Sequence, residues 1–170
     1  MLLIASSVSQ LNTEALMAVY QEGNEENARR VFPGLSPDIQ LSKAEDGFID
    51  YLRNDFFQTK GAFYAVWVRS ETYTAALRME PFKDGLLLEA LETKPDMRRK
   101  GYAYSLIAAV LEYVPTLGYK KVYSHINKRN TTSLRVHEKA GFRRISDSAR
   151  YIDGTVTQNS YTLCYDTSND

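Results

Sequence analysis

The sequence predicts a mixed α/β fold: a mostly antiparallel sheet with helices on both faces. Three observations carry that prediction. Runs rich in β-branched, aromatic and aliphatic residues at 62–68, 72–80 and 86–93 follow one another across the turns Arg69-Ser70-Glu71 and Lys83-Asp84-Gly85. That spacing is an antiparallel meander. The third run leads into Ala103, Leu106, Ile107, Val110, Leu111 and Val114 at helical spacing, followed by another strand and another helix.

The remaining elements follow in chain order. Residues 1–5 read as a first strand, too short and too poor in basic residues for a signal peptide. Leu11, Ala15, Leu16 and Val19 mark a helix expected to end near Gly23, and a polar helical piece follows at 25–32, closed by Pro33-Gly34. Ser42-Lys43-Ala44-Glu45 has the form of a capping box opening a helix that carries Phe48, Ile49, Leu52 and Phe56. After the meander, the helix over 103–114 ends at Pro115, and 121–126 is a strand. A helix over 130–140 stops at Gly141, the residue most at ease in a left-handed cap. Runs at 142–147 and 156–165 form a terminal hairpin. Trp67, Phe56, Phe57, Phe63 and Tyr64 read as core and sheet faces.

Composition narrows the function. The chain has 170 residues, 44% hydrophobic and 25% charged, which suits one globular domain over 1–170. Lys plus Arg balances Asp plus Glu at 21 each, so no global field favours nucleic acid or an anionic membrane. No apolar run reaches transmembrane length. Cys164 is the single cysteine; it rules out an intrachain disulfide and fits a reducing, cytoplasmic setting. It sits in a strand-like run and reads as a buried thiol. The two histidines, His125 and His137, make no ligand set with nearby carboxylates, so no metal is expected.

The most informative stretch is Thr93-Lys94-Pro95-Asp96-Met97-Arg98-Arg99-Lys100-Gly101-Tyr102-Ala103. It lies between a buried strand and an amphipathic helix. Three cations at a helix N-terminus oppose the helix dipole, which would prefer acidic residues there. A bound polyphosphate resolves that conflict, its oxygens meeting the free N–H groups of the first turn. Gly101 and Ala103 keep side chains out of the anion's path. A dinucleotide loop would need a further glycine near Ser105-Leu106, and a P-loop would need lysine after the glycine rather than before it.

Glu89 is the lone charge in the run Leu86-Leu87-Leu88-Glu89-Ala90-Leu91. By simple alternation it shares a face with Leu87, Leu91 and Thr93. Two readings stand: a general base acting through water, or a structural carboxylate paired with a neighbouring cation such as Arg78. Glu92 points the other way unless a β-bulge intervenes.

Arg98-Arg99-Lys100-Gly101-Tyr102-Ala103, followed about thirty residues later by Asn130-Thr131-Thr132-Ser133-Leu134-Arg135-Val136-His137-Glu138-Lys139-Ala140-Gly141-Phe142, resembles the paired signatures of the GNAT N-acetyltransferases. The resemblance covers 86–142, an acetyl-CoA-binding core; residues 1–80 agree only in element order and would form the variable, acceptor-side half. It implies a single-domain fold whose sheet is splayed at its centre, with acetyl-CoA as acyl donor. Its pyrophosphate would rest on Arg98, Arg99, Lys100, Gly101, Tyr102, Ala103 and Tyr104, and its pantetheine arm along Leu91, Glu92 and Thr93. Asn130, also a good N-cap, would touch a pantetheine amide, with Ser133 on the same stripe. Leu91 or a neighbour would offer an N–H to the thioester oxygen. His137 stands where the family usually has a tyrosine that protonates the departing thiolate; Tyr102 and Tyr123 are other hydroxyls. The implied reaction is direct attack by a primary amine, on a small molecule or a peptide, in a ternary complex. A non-catalytic acyl-CoA sensor and a nucleotide-binding protein are the alternatives, and a homodimer is compatible with all of these.

Overall fold

The structure, a computed structural model, describes residues 1–167, and the three central runs form the expected meander. In chain order the elements are β1 Leu2–Ala5, α1 Thr13–Val19, α2 Gln21–Val31, α3 Pro37–Asn54, β2 Phe63–Arg69, β3 Thr72–Phe82, β4 Gly85–Thr93, α4 Tyr102–Tyr113, β5 Lys121–Asn127, α5 Thr131–Lys139, β6 Arg143–Ser146, β7 Ala149–Arg150, β8 Val156–Thr157 and β9 Ser160–Asp166. Seven strands make one sheet in the order β1-β2-β3-β4-β5-β9-β6, while β7 and β8 form a small separate ribbon. The β4–β5 pair is parallel and every other strand pair of the described residues is antiparallel.

Alternation along the strands builds a core on each face of the sheet. Phe63 and Ala65 of β2, Leu77 and Met79 of β3, and Leu86 and Leu88 of β4 pack with Leu106, Ile107 and Val110 of α4. Tyr64, Val66 and Ala76 point the other way and pack with Leu16, Tyr20, Leu52 and Phe56 from the α1–α3 side. Helices thus cover both faces, as expected. Tight turns set the register: Ser70 and Glu71 both take positive φ, 45° and 63°, in the two-residue β2–β3 turn, the twist that such hairpins favour.

Two helix starts differ from the sequence reading. The box at Ser42–Glu45 lies inside α3, whose first turn is Pro37. Pro37 arrives with helical φ already set, and the Gln40 side-chain amide donates to the Phe32 and Leu35 carbonyls at 2.8 and 2.9 Å, anchoring that turn. The break expected at Gly23 falls instead at Tyr20, between α1 and α2. Tyr20 is buried, its ring edge-on to Phe48 with centroids 5.5 Å apart, so packing overrides the glycine signal. The terminal hairpin forms as β6 against β9, but β9 also inserts beside β5, and the β7–β8 ribbon occupies the connection.

Gly85 is required by close approach. A Cβ there would sit 2.2 Å from the Lys121 carbonyl oxygen, where β5 begins its pairing with β4. Gly85→Ala is expected to cost about 3 kcal/mol in chemical denaturation, the upper end for overpacking, because a strand rather than a flexible side chain must move.

Candidate active site

The site is a fork between two strands. β4 and β5 pair at Leu86↔Val122, Leu87↔Tyr123 and Leu88↔Ser124 and then diverge. The Ser124 hydroxyl donates to the Leu88 carbonyl at 3.3 Å and pins the crotch. Beyond it lies a cleft of about 180 Å³ whose lining includes Glu89, Leu91, Asn127, Asn130, Ser133 and His137.

A β-bulge in β4 reorients the residues at this fork. The pairs Arg78↔Glu89 and Ala76↔Glu92 enclose Leu77 on one strand but both Ala90 and Leu91 on the other. Ala90 takes φ 49°, a left-handed conformation uncommon for alanine. Leu91 consequently packs with the cluster of Leu86 and Leu88, whereas Ala90 packs with the opposite one. The alternation expected for Glu89, Leu91 and Thr93 is therefore broken: Glu89 does not share a face with Leu91. The Lys94 N–H donates to the Thr74 carbonyl at 2.9 Å. Antiparallel alternation then turns the Glu92 amide towards β3, while Leu91, inside the bulge, has no paired residue on β3.

At the top of β4 the chain passes through a short 3₁₀ turn, Pro95–Met97, to Gly101 at φ 83°, directly before α4. The first intrahelical bond of α4 runs from the Ser105 N–H to the Gly101 carbonyl at 3.0 Å. Among the described residues, the amides of Gly101, Tyr102, Ala103 and Tyr104 therefore have no acceptor, and no atom lies within 4 Å of where a Gly101 Cβ would stand. Open donors at the positive end of a helix suit a pyrophosphate. The expected basic residues divide. Arg98 is tied to Glu22 at 2.7 Å and to Glu92 at 3.9 Å, and its Nε donates to the Thr93 carbonyl at 3.3 Å. The Lys100 ammonium folds onto the Asp96 carbonyl at 3.2 Å, and Arg99 stays exposed. The Lys139 ammonium lies 4.6 Å from the Tyr104 ring centroid, joining α4 to α5.

On the α1–α3 face, Glu89 meets Arg78 at 3.8 Å, the partner expected for a structural carboxylate. The Arg78 guanidinium also lies 5.3 and 5.5 Å from the ring centroids of Tyr51 and Phe56. A second carboxyl, Glu80, escaped the sequence reading. Burial pushes it up to about 7, reinforced by a hydrogen bond with Glu89 and by that carboxylate's charge, with Arg78 opposing. The signal was in the hairpin: a two-residue β3–β4 turn sets Glu80 against Leu87, one diagonal step from Glu89.

On α5, the Asn130 side-chain oxygen accepts the Ser133 N–H at 3.0 Å, the N-cap expected of it. His137 is 1% exposed. Its Nδ1 lies 2.9 Å from the Ser133 carbonyl and so carries the proton, while Nε2 is buried without a partner among the described residues. Burial pushes this imidazole below its usual range, with the carbonyl bond opposing. Near neutrality it presents a lone pair at Nε2 rather than a proton, unlike the standing acid that the resemblance implied. The other hydroxyls do not replace it: Tyr123 donates to Asp84, and Tyr102 packs against the core. His125 is held by the Arg150 carbonyl at 3.0 Å. Among the described residues no group of three or more His, Cys, Asp or Glu is placed to hold a metal, and no helix is long and apolar enough to cross a membrane.

Two outcomes follow from this geometry. Gly101→Ala strains a left-handed position and is expected to weaken coenzyme A binding about tenfold by calorimetry, roughly the 1–2 kcal/mol cost of that conformation. For His137 the folded chain binds its proton less readily than the unfolded chain, so stability falls as pH drops through the ordinary histidine range. His137→Phe should lose less stability between about pH 7 and 5 than the unsubstituted protein, as read by urea midpoints at each pH.

The acetyltransferase (GNAT) family profile matches residues 13–142. No curated protein sequence matches the chain. Its fold is similar to a PaiA N-acetyltransferase from Thermoplasma acidophilum in complex with coenzyme A, with TM-score 0.63 and 11% identity over 98% of this chain and 99% of that one. It is also similar to the ribosomal-protein-S18-alanine N-acetyltransferase from Escherichia coli, with TM-score 0.60 and 14% identity over 98% and 94% of the two chains. A spermidine N-acetyltransferase SpeG chimera from Vibrio cholerae and hSSAT matches with TM-score 0.55 and 16% identity over 76% of each chain. With three quarters of its length inside the family profile and a forked sheet beside a helix start with open amides, the chain belongs to the GNAT acetyltransferase family and is an acetyl-CoA-dependent acyltransferase.

Proposed function

We propose that this enzyme moves an acetyl group from acetyl-CoA to a primary amine by direct attack in a ternary complex. The observation that carries the reading is the fork, where Leu91, Glu89 and His137 line one cleft, together with the open amides at the start of α4. Residues 86–142 hold the coenzyme in this reading, and residues 1–80 shape the acceptor side. The amides of residues 101–104, with Arg99 and Lys100 nearby, take the pyrophosphate. Asn130 keeps its NH₂ for a pantetheine carbonyl while its oxygen caps α5, and Ser133, Glu92 and Thr93 flank the arm. Arg98 acts indirectly, holding the loop against α2 and β4. The bound thioester supplies an activated acyl carbon; the chain supplies placement and proton transfer.

Glu89 takes a proton from the incoming ammonium, directly or through one water, and Glu80 lends a second carboxyl beside it. The Leu91 N–H faces the oxygen that gains charge. His137 serves as a relay: its Nε2 lone pair takes the second proton, shed by the attacking nitrogen once its bond to the acyl carbon forms, and returns it to the departing sulfur, so it is charged only in passing. Two adjacent carboxyls favour a cationic acceptor, a small amine or a peptide amine. The lone thiol Cys164 suits a cytoplasmic enzyme.

A thiol assay of coenzyme A release across a panel of amines and peptides tests the reading. Coenzyme binding without turnover on any acceptor would instead support a sensor, the reading that a histidine without a standing proton favours. With one acceptor, kcat/KM is expected to rise with pH through about 7, as Glu80 loses its proton, and then level off until the acceptor amine itself titrates. Glu80→Gln should abolish that limb. Glu89→Gln should lower kcat about a hundredfold, the usual contribution of a general base, and move the limb to lower pH because Glu80 loses the neighbour that raises it.

A further inference from the structure

We infer that Tyr20 is a positioning residue for acyl transfer: its hydroxyl holds the Ala90–Leu91 peptide plane and thereby aims the Leu91 N–H into the fork. This rests on the reading of the Leu91 amide as the donor to the thioester oxygen. Tyr20 lies at the junction of α1 and α2, and its hydroxyl donates to the Ala90 carbonyl at 2.7 Å. That carbonyl and the Leu91 N–H belong to one trans, planar peptide group, so they point in opposite directions. A bond that fixes the carbonyl towards the α1–α3 face therefore fixes the N–H away from it.

The plane needs such a hold. Ala90 sits at φ 49° in the bulge, a conformation that alanine adopts at a cost. Ala90 and Leu91 together oppose Leu77, and β5 has already parted from β4 beyond Leu88, so ladder bonds do not determine this peptide as they do its neighbours. Tyr20 is itself well held. It is buried, the Tyr64 hydroxyl donates to its oxygen at 3.3 Å, and the two rings meet edge-on at 6.4 Å. A hydroxyl that accepts one hydrogen bond donates a stronger one, and a peptide whose carbonyl is so engaged offers a more polar N–H.

The same junction reaches the other half of the site. Glu22, two residues after Tyr20, pairs with Arg98 at 2.7 Å in the loop before α4. The start of α2 thus touches both the bulge and the phosphate-binding turn.

The test uses Tyr20→Phe, with Tyr64→Phe as the graded comparison. Tyr20→Phe is expected to lower kcat about tenfold, less than removal of an oxyanion donor outright, with coenzyme A affinity unchanged. Tyr64→Phe leaves the bond to Ala90 in place and should lower kcat by less. Acetyl-CoA titration of ¹⁵N-labelled protein should move the Leu91 amide resonance in the unsubstituted chain and move it less in Tyr20→Phe. A purely structural role would lower stability but leave kcat of the folded enzyme and the Leu91 shift alone, and that result overturns the inference. Should the unsubstituted protein acetylate no amine, the enzymatic reading fails, and the Leu91 resonance alone decides: loss of its response in Tyr20→Phe sustains the inference, and an unchanged response overturns it.

Discussion

β4 and β5 share three residue pairs and then separate, and almost everything that makes this fold a site depends on that divergence. A parallel pair that continued would satisfy the edge of β4 with β5 and close the cleft. The separation leaves β4 amides facing a gap and sets Asn130, Ser133 and His137 at its border. The closed end is stiff: Gly85 admits the Lys121 backbone, Leu86–Leu88 are buried between α4 and the opposite face, and Ser124 bonds across the crotch. The fork can therefore open without loosening the sheet.

Each rim of the fork handles charge differently. At the start of α4, main-chain donors are open and the basic side chains are partly committed elsewhere, Arg98 above all. An exposed ion pair such as Arg98–Glu22 is worth at most about 1 kcal/mol, so its value lies in placing the loop rather than in stabilising the fold. On the β3–β4 face, two carboxyls and one guanidinium share a half-buried space, which is why Glu80 holds a proton to near neutrality. On α5 the His137 ring is dry and neutral. The cleft and the face beside it thus hold a buried imidazole and a pair of carboxyls within one short stretch of structure.

The α1–α2 junction ties these parts together. A helix boundary at Tyr20, against the glycine three residues later, places one hydroxyl on the bulge and one carboxylate on the loop. Residues ahead of the meander can in this way bear on the geometry of the β4 bulge and the loop before α4 with no large movement, since buried side chains with fixed partners transmit small shifts.

Residue order by itself determined the meander, the helix after it, and the glycine turn that opens that helix, because each depends on local periodicity or turn chemistry over a few residues. It also determined the family, through two spaced signatures, and it named Arg78 as a partner for Glu89. Tertiary structure decided what periodicity cannot express. One extra residue in β4 reversed the face of Leu91 relative to Glu89, and cross-strand register brought Glu80 to Glu89. Burial lowered the proton affinity of His137, and packing against Phe48 and Ala90 moved a helix break to Tyr20. The physical reason is range: a bulge, a diagonal contact or a desolvated ring depends on groups tens of residues away in the chain, where a pattern read along the sequence has no purchase.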